Sequence, residues 1–378
     1  MKFVLIGPSY PFRGGIAHYT TLLNQYLQNR HDVRFFSFKR QYPQWLFPGK
    51  TDIDPSKENI SSPGTERIID SINPLSWVIA ARKIIQSDPD IVIFPWWVSF
   101  WAPQFLFISL IVKQFCRAKI LFICHNVVAH ESMFFDKLLT GMVFRQGDFF
   151  VVHSGEDKRN LLQMIPGANV KKNVHPIYDV FKISTQKLKA RNKKSGLTGH
   201  VLLFFGFVRE YKGLKYLFEA MPEILKDMPA TLMVVGEFWK DKTKYLDLIK
   251  SLAIEDHVVI VDEYIPNESV GEYFSAADVV VQPYVSATGS GVVQIAFGFN
   301  KPVIATNVGC LPEVVRDGET GYLIAPRSPS EIAEAVIKFF KENNGPVFSE
   351  NIKKEKYRFS WDRLVDVIES FIPDKGPN

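Results

Sequence analysis

Short apolar runs separated by amphipathic stretches constrain this chain more than any other feature. Residues 2–6 (KFVLI), 33–37, 91–95 (IVIFP), 119–124 (KILFIC) and 149–153 (FFVVH) are each too short to form an independent helix. Each reads as a strand buried on both faces. Between them lie helix candidates such as Ile16–Leu27 and Phe105–Phe115. Strand alternating with helix predicts a parallel sheet.

The pattern then breaks. Residues 182–199, KISTQKLKARNKKSGLTG, are polar, basic and without apolar periodicity, and read as an interdomain linker. After them the alternation restarts, with strands expected near 200–205 (HVLLFF), 230–235 (ATLMVV), 257–261 (HVVIV), 278–282 (DVVVQ) and 302–305 (PVIA). The expectation is two consecutive doubly wound α/β domains, residues 1–185 and 200–358, with residues 359–378 forming a helix that packs back on the first. A length of 378 residues suits two separate cores. Such sheets bind ligands at the carboxyl ends of their strands, so two facing domains would hold a site in the cleft between them.

Composition excludes several classes. With 46% apolar and 22% charged residues and no repeat, the proportions are those of a globular chain and not of disordered, collagen-like or solenoid ones. The three cysteines, Cys116, Cys124 and Cys310, have neither CxxC nor Cys/His ligand spacing, which argues against a disulfide framework and a structural zinc and for the cytoplasm. Pro8 and Pro11 directly follow the first apolar run, so a buried first strand is expected there and not a signal peptide. Charge is uneven: residues 1–197 hold 26 Lys and Arg against 14 Asp and Glu, net +12, and residues 198–378 hold 19 against 26, net −7. The first half suits an anionic surface or substrate, although six of its basic residues lie in the stretch Lys182–Lys194 and would also suit a solvated linker. No nucleic-acid partner is expected.

Three glycine-containing turns stand at strand-to-helix junctions. Pro11-Phe-Arg-Gly-Gly-Ile-Ala17 follows the first strand, and Gly14 and Gly15 would let backbone N–H groups approach a phosphate or sugar, or serve a tight turn alone. It carries no GxGxxG fingerprint of a dinucleotide-dependent dehydrogenase. Gly206-Phe-Val-Arg-Glu-Tyr-Lys-Gly213 occupies the same place in the second domain. There Arg209 and Lys212, three apart and both expected to be exposed, could converge on a diphosphate. Thr288-Gly-Ser-Gly-Val292, with Gly289, Ser290 and Gly291, feeds an apolar helix and would make an anion cradle from backbone donors and the helix dipole. Lys301–Thr306, Gly309–Val315 and Asp317–Tyr322 then read as strand, turn, short helix and hairpin-like return.

The run from Asp278 to Pro326, DVVVQPY…KPVIATNVGCLPEVVRDGETGYLIAP, closely resembles the donor-binding half of family 4 glycosyltransferases. The resemblance extends through FFGFVREYKGLKYLFEA to His125-Asn126 and Gly14-Gly15, and so covers most of the chain. It implies the two-Rossmann glycosyltransferase architecture (GT-B), a nucleoside diphosphate sugar as donor, no required metal or other cofactor, and retention of anomeric configuration. Arg209 and Lys212 look like the family's cationic clamp on the donor diphosphate, although without a gap the family arginine falls at Phe207. His125 matches the histidine that the family sets near the transferring sugar, and Glu313 in LPEVV matches a residue of structural role at a short helix. Gly206 would belong to the same donor loop.

One departure concerns the family's two glutamates, eight positions apart, that contact donor sugar and ribose. Keeping Gly289 in register puts Ser286 and Gln294 there; keeping Lys301-Pro302 in register puts Ala287 and Ile295 there. Ser286 and Gln294 are preferred, because a polar pair preserves hydrogen bonds to hydroxyls. The resemblance therefore implies a retaining hexosyltransferase acting on a hydroxyl of a glycan or lipid-linked glycan precursor. The alternative is a catalytically inactive sugar-nucleotide-binding partner protein; a GT-B-like epimerase would need an acid and a base carboxylate that are not evident. Asp52-Ile-Asp54 and Asp88-Pro-Asp90 have the Asp-x-Asp form of metal-dependent transferases but sit in an irregular stretch and at a helix-to-strand turn, so no metal is expected.

Phe94–Val112, with Trp96, Trp97 and Trp101, is too short and too interrupted by Pro95 and Pro103 to span a bilayer. It reads as a strand and buried helix, or else as an aromatic acceptor wall at lipid headgroups. Together with the +12 half, the tryptophans suggest work at the cytoplasmic face of a membrane without spanning it.

Overall fold

A computed structural model describes residues 1–43, 51–57, 60, 62–128, 134–178, 180–181, 197–239, 241–287 and 289–372. The basic stretch Lys182–Lys194, expected as a linker, and Thr288 lie outside the described residues. The chain forms two compact units: Met1–Pro55, Asn59–Val174 and Ser360–Asn378 make the first, and His175–Phe359 with Ser56–Glu58 make the second.

In the first unit β1 (Lys2–Ile6), α1 (Gly15–Gln28), β2 (Asp32–Arg40), β3 (Glu66–Asp70), α2 (Pro74–Ser87), β4 (Ile91–Trp96), α3 (Ala102–Phe115), β5 (Lys119–Cys124), α4 (Phe134–Phe144), β6 (Phe149–Val152), α5 (Gly155–Met164) and β7 (Val170–Lys172) follow one another. The strands form one parallel sheet in the order β3-β2-β1-β4-β5-β6-β7. Central strands such as β4 are buried along their whole length, which is why they read as unbroken apolar runs. Asn73 caps α2 through Leu75 N–H with Pro74 at the first helical position, and Ser154 caps α5 through Asp157 N–H.

The second unit continues with β8 (His200–Phe205), α6 (Leu214–Asp227), β9 (Ala230–Val235), α7 (Lys242–Ser251), β10 (Val258–Val261), α8 (Asn267–Ala276), β11 (Val279–Gln282), α9 (Gly291–Gly298), β12 (Val303–Thr306), α10 (Leu311–Val314), β13 (Gly321–Ile324), α11 (Pro329–Lys341) and α12 (Gly345–Glu355). Its parallel sheet has the order β10-β9-β8-β11-β12-β13. A last helix, α13 (Trp361–Glu369), belongs to the first unit, where Trp361 lies 4.9 Å from the Tyr19 ring and stacks on Tyr26 at 5.8 Å. Arg30 reinforces this packing with ion pairs to Asp362 and Asp366.

Three strands, β3, β7 and β13, differ from the sequence reading. β3 and β7 are short strands at the sheet edges, where charged residues replace the apolar run. The return through Tyr322 is not a hairpin: β13 pairs parallel with β12, because the intervening α10 carries the chain back across the sheet. Of the two readings of the aromatic stretch, the structure has the first, a strand and a helix packed in the core. Trp96 and Trp101 are fully buried against Phe105 and only Trp97 is half-buried. Rings of this size find enough apolar partners between sheet and helix to leave the surface entirely. Among the described residues no helix is long and apolar enough to cross a membrane.

Both sheets reverse strand order beside their first strand: β1 lies between β2 and β4, and β8 between β9 and β11. The carboxyl ends of β1 and β8 are therefore the switch points at which open α/β sheets bind ligands.

Candidate functional site

The turn that leaves β8 is built around bare backbone. Gly206 has φ 98°, and a Cβ there would sit 2.9 Å from Lys212 Nζ and 3.4 Å from Val292 in the first turn of α9. Gly213 closes the turn at φ 67°, where a Cβ would lie 1.9 Å from the carbonyl oxygen of Pro283. Only glycine tolerates both the left-handed backbone and this approach. Val285 N–H donates to Tyr211 O at 2.7 Å, which fixes the turn against the loop leaving β11. The structure thus brings together three of the predicted features: Gly206, Lys212 and the start of α9.

Lys212 corrects the expectation of an exposed pair. It is 8% exposed, its ammonium 5.6 Å from the centre of the Tyr284 ring, and it makes no ion pair among the described residues. The cause is the one-turn 3₁₀ helix Glu210–Lys212, which turns the side chain inward beneath Gly206. Burial pulls its pKa down to about 8, with a further lowering from the nearby Arg209 charge. A cation held inside protein without a counter-ion carries a desolvation cost that an incoming anion offsets. Arg209 is exposed, with its guanidinium 5.0 Å from the Trp239 ring and 5.3 Å from the Tyr211 ring.

Ser290 caps α9: its hydroxyl accepts Val293 N–H at 3.4 Å and lies 3.4 Å from the Tyr284 hydroxyl. Around Gly289 and Gly291 there is room, the nearest atoms to an added Cβ being Cys310 Sγ at 3.8 Å and Tyr178 Cε2 at 3.7 Å. The first-turn N–H groups and dipole of α9 therefore supply donors beside Lys212. Gln294, one turn on, is 1% exposed, and its carbonyl oxygen has no hydrogen-bond partner among the described residues. Ser286 is half-buried in the loop before α9; of the other register, Ala287 is buried and Ile295 half-buried. Glu313 is on α10, anchored through its backbone carbonyl, which accepts from the Arg358 guanidinium. Tyr284, which walls Lys212, was not singled out in the sequence; its signal was the polar PY pair directly after a buried strand.

In the first unit Gly14, at φ 107°, caps α1, which begins at Gly15, and an added Cβ at 14 would meet nothing within 4 Å. Residues 51–54 line the preceding loop: Arg13 N–H donates to Asp52 O at 2.7 Å and Asp54 N–H to Pro11 O at 2.7 Å. Buried Asp54 also lies 3.4 Å from His18 Nε2. Of the other acidic pair, Asp88 ends α2 at φ 42° and the Asp90 carboxylate accepts Lys2 N–H at 2.9 Å. Both Asp-x-Asp pairs thus hold backbone in place, and among the described residues no cluster of three His, Cys, Asp or Glu could hold a metal.

His125 follows β5, where its N–H donates to Trp96 O at 2.8 Å and its ring meets Tyr19 edge-on at 4.4 Å. His153, at the end of β6, lies 5.1 Å from it. The His153 Nδ1 is 2.8 Å from Asn173 O, and burial lowers its pKa to about 4, so it is neutral at physiological pH. Sequence reasoning missed His153, although FFVVH ends on a histidine just as KILFICH does. Tyr19, His125 and His153 form a ring cluster at the carboxyl edge of the sheet.

Residues 199–342 match the family model "Glycosyl transferases group 1". This segment contains the Gly206–Gly213 turn and α9. An uncharacterized glycosyltransferase of Methanocaldococcus jannaschii is 30% identical over 168 residues, covering 44% of this chain and 42% of its own. The D-inositol 3-phosphate glycosyltransferase of Corynebacterium diphtheriae is 28% identical over 248 residues, covering 60% and 56%. The chain spans about half the length of these curated relatives. Among solved structures, sucrose-phosphate synthase from Thermosynechococcus elongatus superposes with a TM-score of 0.75 at 17% identity, covering 98% of both chains. Anabaena HepE in complex with UDP-glucose gives 0.74 at 16% identity, covering 97% and 99%. The fold is the two-domain GT-B arrangement of parallel α/β sheets.

Proposed function

We propose that the protein is a retaining, metal-independent glycosyltransferase that moves a hexose from a nucleoside diphosphate sugar to a hydroxyl of a glycan or lipid-linked glycan precursor. The observation that carries the reading is the buried Lys212 ammonium, without an ion pair among the described residues, set against Gly206 and the α9 N-terminus. A diphosphate supplies two adjoining anionic groups for such a site. Support comes also from the family match over residues 199–342 and from HepE, which was solved with UDP-glucose.

In this reading the acceptor hydroxyl attacks C1 of the sugar on the face from which the diphosphate leaves. The bond from C1 to the acceptor oxygen forms, the bond from C1 to the phosphate oxygen breaks, and the hydroxyl proton passes to the departing phosphate. Lys212, Arg209 and the N–H groups around Gly289–Gly291 stabilise charge on the leaving group, the electrostatic contribution that usually dominates such transfers. His125 and the Gly14–Gly15 turn hold the transferring sugar, while Ser286 and Gln294 contact sugar and ribose hydroxyls. Arg358 keeps the Glu313 helix in position.

Incubation with UDP-, GDP- and ADP-sugars and a glycan acceptor in excess chelator tests the reaction. Transfer with retained anomeric configuration is the expected outcome. Activity that appears only on adding manganese, or an inverted product, contradicts the mechanism. Donor binding without turnover on any acceptor would make the protein a sugar-nucleotide-binding partner instead.

A further inference from the structure

Helix α2 carries apolar side chains on both of its faces. Toward the sheet it presents Ser76, Ala80, Ala81 and Ile84, while Leu75 (73% exposed), Val78 and Ile79 form a stripe on the solvent side that Arg82 continues. The spacing of three and four residues puts these side chains on one face. Neighbouring α3 repeats the arrangement with exposed Leu110 and Phe115 (66%) and with Arg117 just beyond its end. So does α4, with Phe135 (67%), Leu138 and then Arg145. α2 packs on α3, with Trp77 6.1 Å from Phe107, and α3 packs on α4, so the three stripes lie side by side in one layer.

Charge on this layer is one-sided. Within the three helices the single acid is Asp136, whose carboxylate accepts from the Ser99 hydroxyl, against Arg82, Lys83, Lys113 and Lys137. Lys83 is paired with Glu66, and Lys113 lies 3.9 Å from Asp148. Arg82, Arg117, Lys137 and Arg145 are exposed and make no ion pair among the described residues.

We propose that the outer face of α2, α3 and α4 docks on an anionic lipid bilayer. Exposed apolar residues on three helices packed in one layer, each followed by a cation, match the interfacial region, where aliphatic and aromatic side chains enter the headgroup boundary and basic ones meet lipid phosphates. A second copy fits less well, since pairing this face with itself would set the same unpaired cations against one another. Of the tryptophans that first suggested a membrane, Trp96 and Trp101 are core residues and Trp97 packs half-buried against them; the exposed apolar stripes replace them as its carriers. The inference is independent of Lys212 and the start of α9, which lie in the other unit.

Vesicle flotation of the full chain tests it, using phosphatidylcholine–phosphatidylglycerol vesicles and pure phosphatidylcholine at low and high salt. Binding should be confined to the anionic vesicles and weaken with salt. The triple variant Leu75→Ser/Ile79→Ser/Phe115→Ser should lower binding about tenfold or more, and Arg82→Gln/Arg117→Gln/Arg145→Gln should abolish the preference for anionic lipid. All six positions are exposed, so unchanged thermal melting and UDP affinity are expected to verify folding. Wild-type protein that stays unbound with anionic vesicles at low salt overturns the proposal. So does equal binding to both vesicles, or a dimer that the apolar variant dissociates without any vesicle binding.

Discussion

The two units place a glycine-bearing turn at the same point of the same topology and fill it with opposite chemistry. After β1, Gly14 opens onto space, and the neighbouring charged groups are matched, Asp54 beside His18 and Arg13 held by the backbone of residues 51 and 52. After β8, Gly206 and Gly213 are in tight contact and a lysine is buried against them with its charge unmatched among the described residues. The first unit carries the net positive charge, 21 Lys and Arg against 16 Asp and Glu, and the second is neutral with 24 of each, yet the desolvated cation without an ion pair among the described residues is in the second. Net charge reports the surface; a ligand site depends on one desolvated group.

Exchanging the rings of the first unit should disturb turnover, and exchanging the lysine of the second should disturb binding. His125→Ala should lower kcat on the order of a hundredfold, the cost of a misplaced reacting group, with nucleoside diphosphate affinity unchanged, which stopped-flow or endpoint transfer assays and calorimetry together check. Loss of nucleotide affinity in this variant would erase the division of labour. Lys212→Met should weaken UDP binding by roughly 1.5–3 kcal/mol, the worth of a charge-assisted contact. The same variant should raise stability, because a lysine whose pKa falls from 10.5 to about 8 on folding destabilises the native state, by up to ~3 kcal/mol. The sign fixes the pH window: the unfolded chain binds more protons between about pH 8 and 10.5, so wild-type stability rises with pH across that range and the variant's should not. Gly213→Ala combines a left-handed φ with a backbone clash and should cost about 1–3 kcal/mol in denaturant melts. Gly14→Ala meets open space, so its cost should come from the backbone alone, at φ 107° and ψ 161°, about 1–3 kcal/mol. The smallest effects should come from Gln294→Ala, which lowers affinity for UDP itself a few-fold, and Ser286→Ala, which lowers affinity for the sugar nucleotide alone, each about 1 kcal/mol. Equal affinities across both variants favour the register of Ala287 and Ile295.

The sequence shows most of this fold because buried parallel strands leave continuous apolar runs: β1, β5, β8 and β9 span the residues expected. β3 (ERIID) and β7 (VKK) were not legible, because an edge strand faces solvent and can carry charge. In the site, Gly206, Gly213, Arg209 and Lys212 were legible by spacing, but the burial of Lys212 was not. A lysine is ordinarily exposed, and the one-turn 3₁₀ helix that turns this one inward beneath Gly206 is closed by the approach of Gly213 to Pro283 O, a contact distant in the chain. Tyr284 and His153 each follow a buried strand, a local signal of position, but what they touch, like the His18–Asp54 pair, depends on contacts between segments distant in the chain.

Calorimetric titration of UDP into the wild-type protein at pH 8, in two buffers of different ionisation enthalpy, tests the central claim that Lys212 is the diphosphate-binding group. With a free-state pKa of about 8, roughly half of the Lys212 side chains are neutral at that pH, and anion binding should draw about half a proton from solution. The uptake should vanish in Lys212→Met, and affinity should fall as pH rises above 8. Tight binding with no proton uptake, or uptake that persists in the variant, would contradict the account.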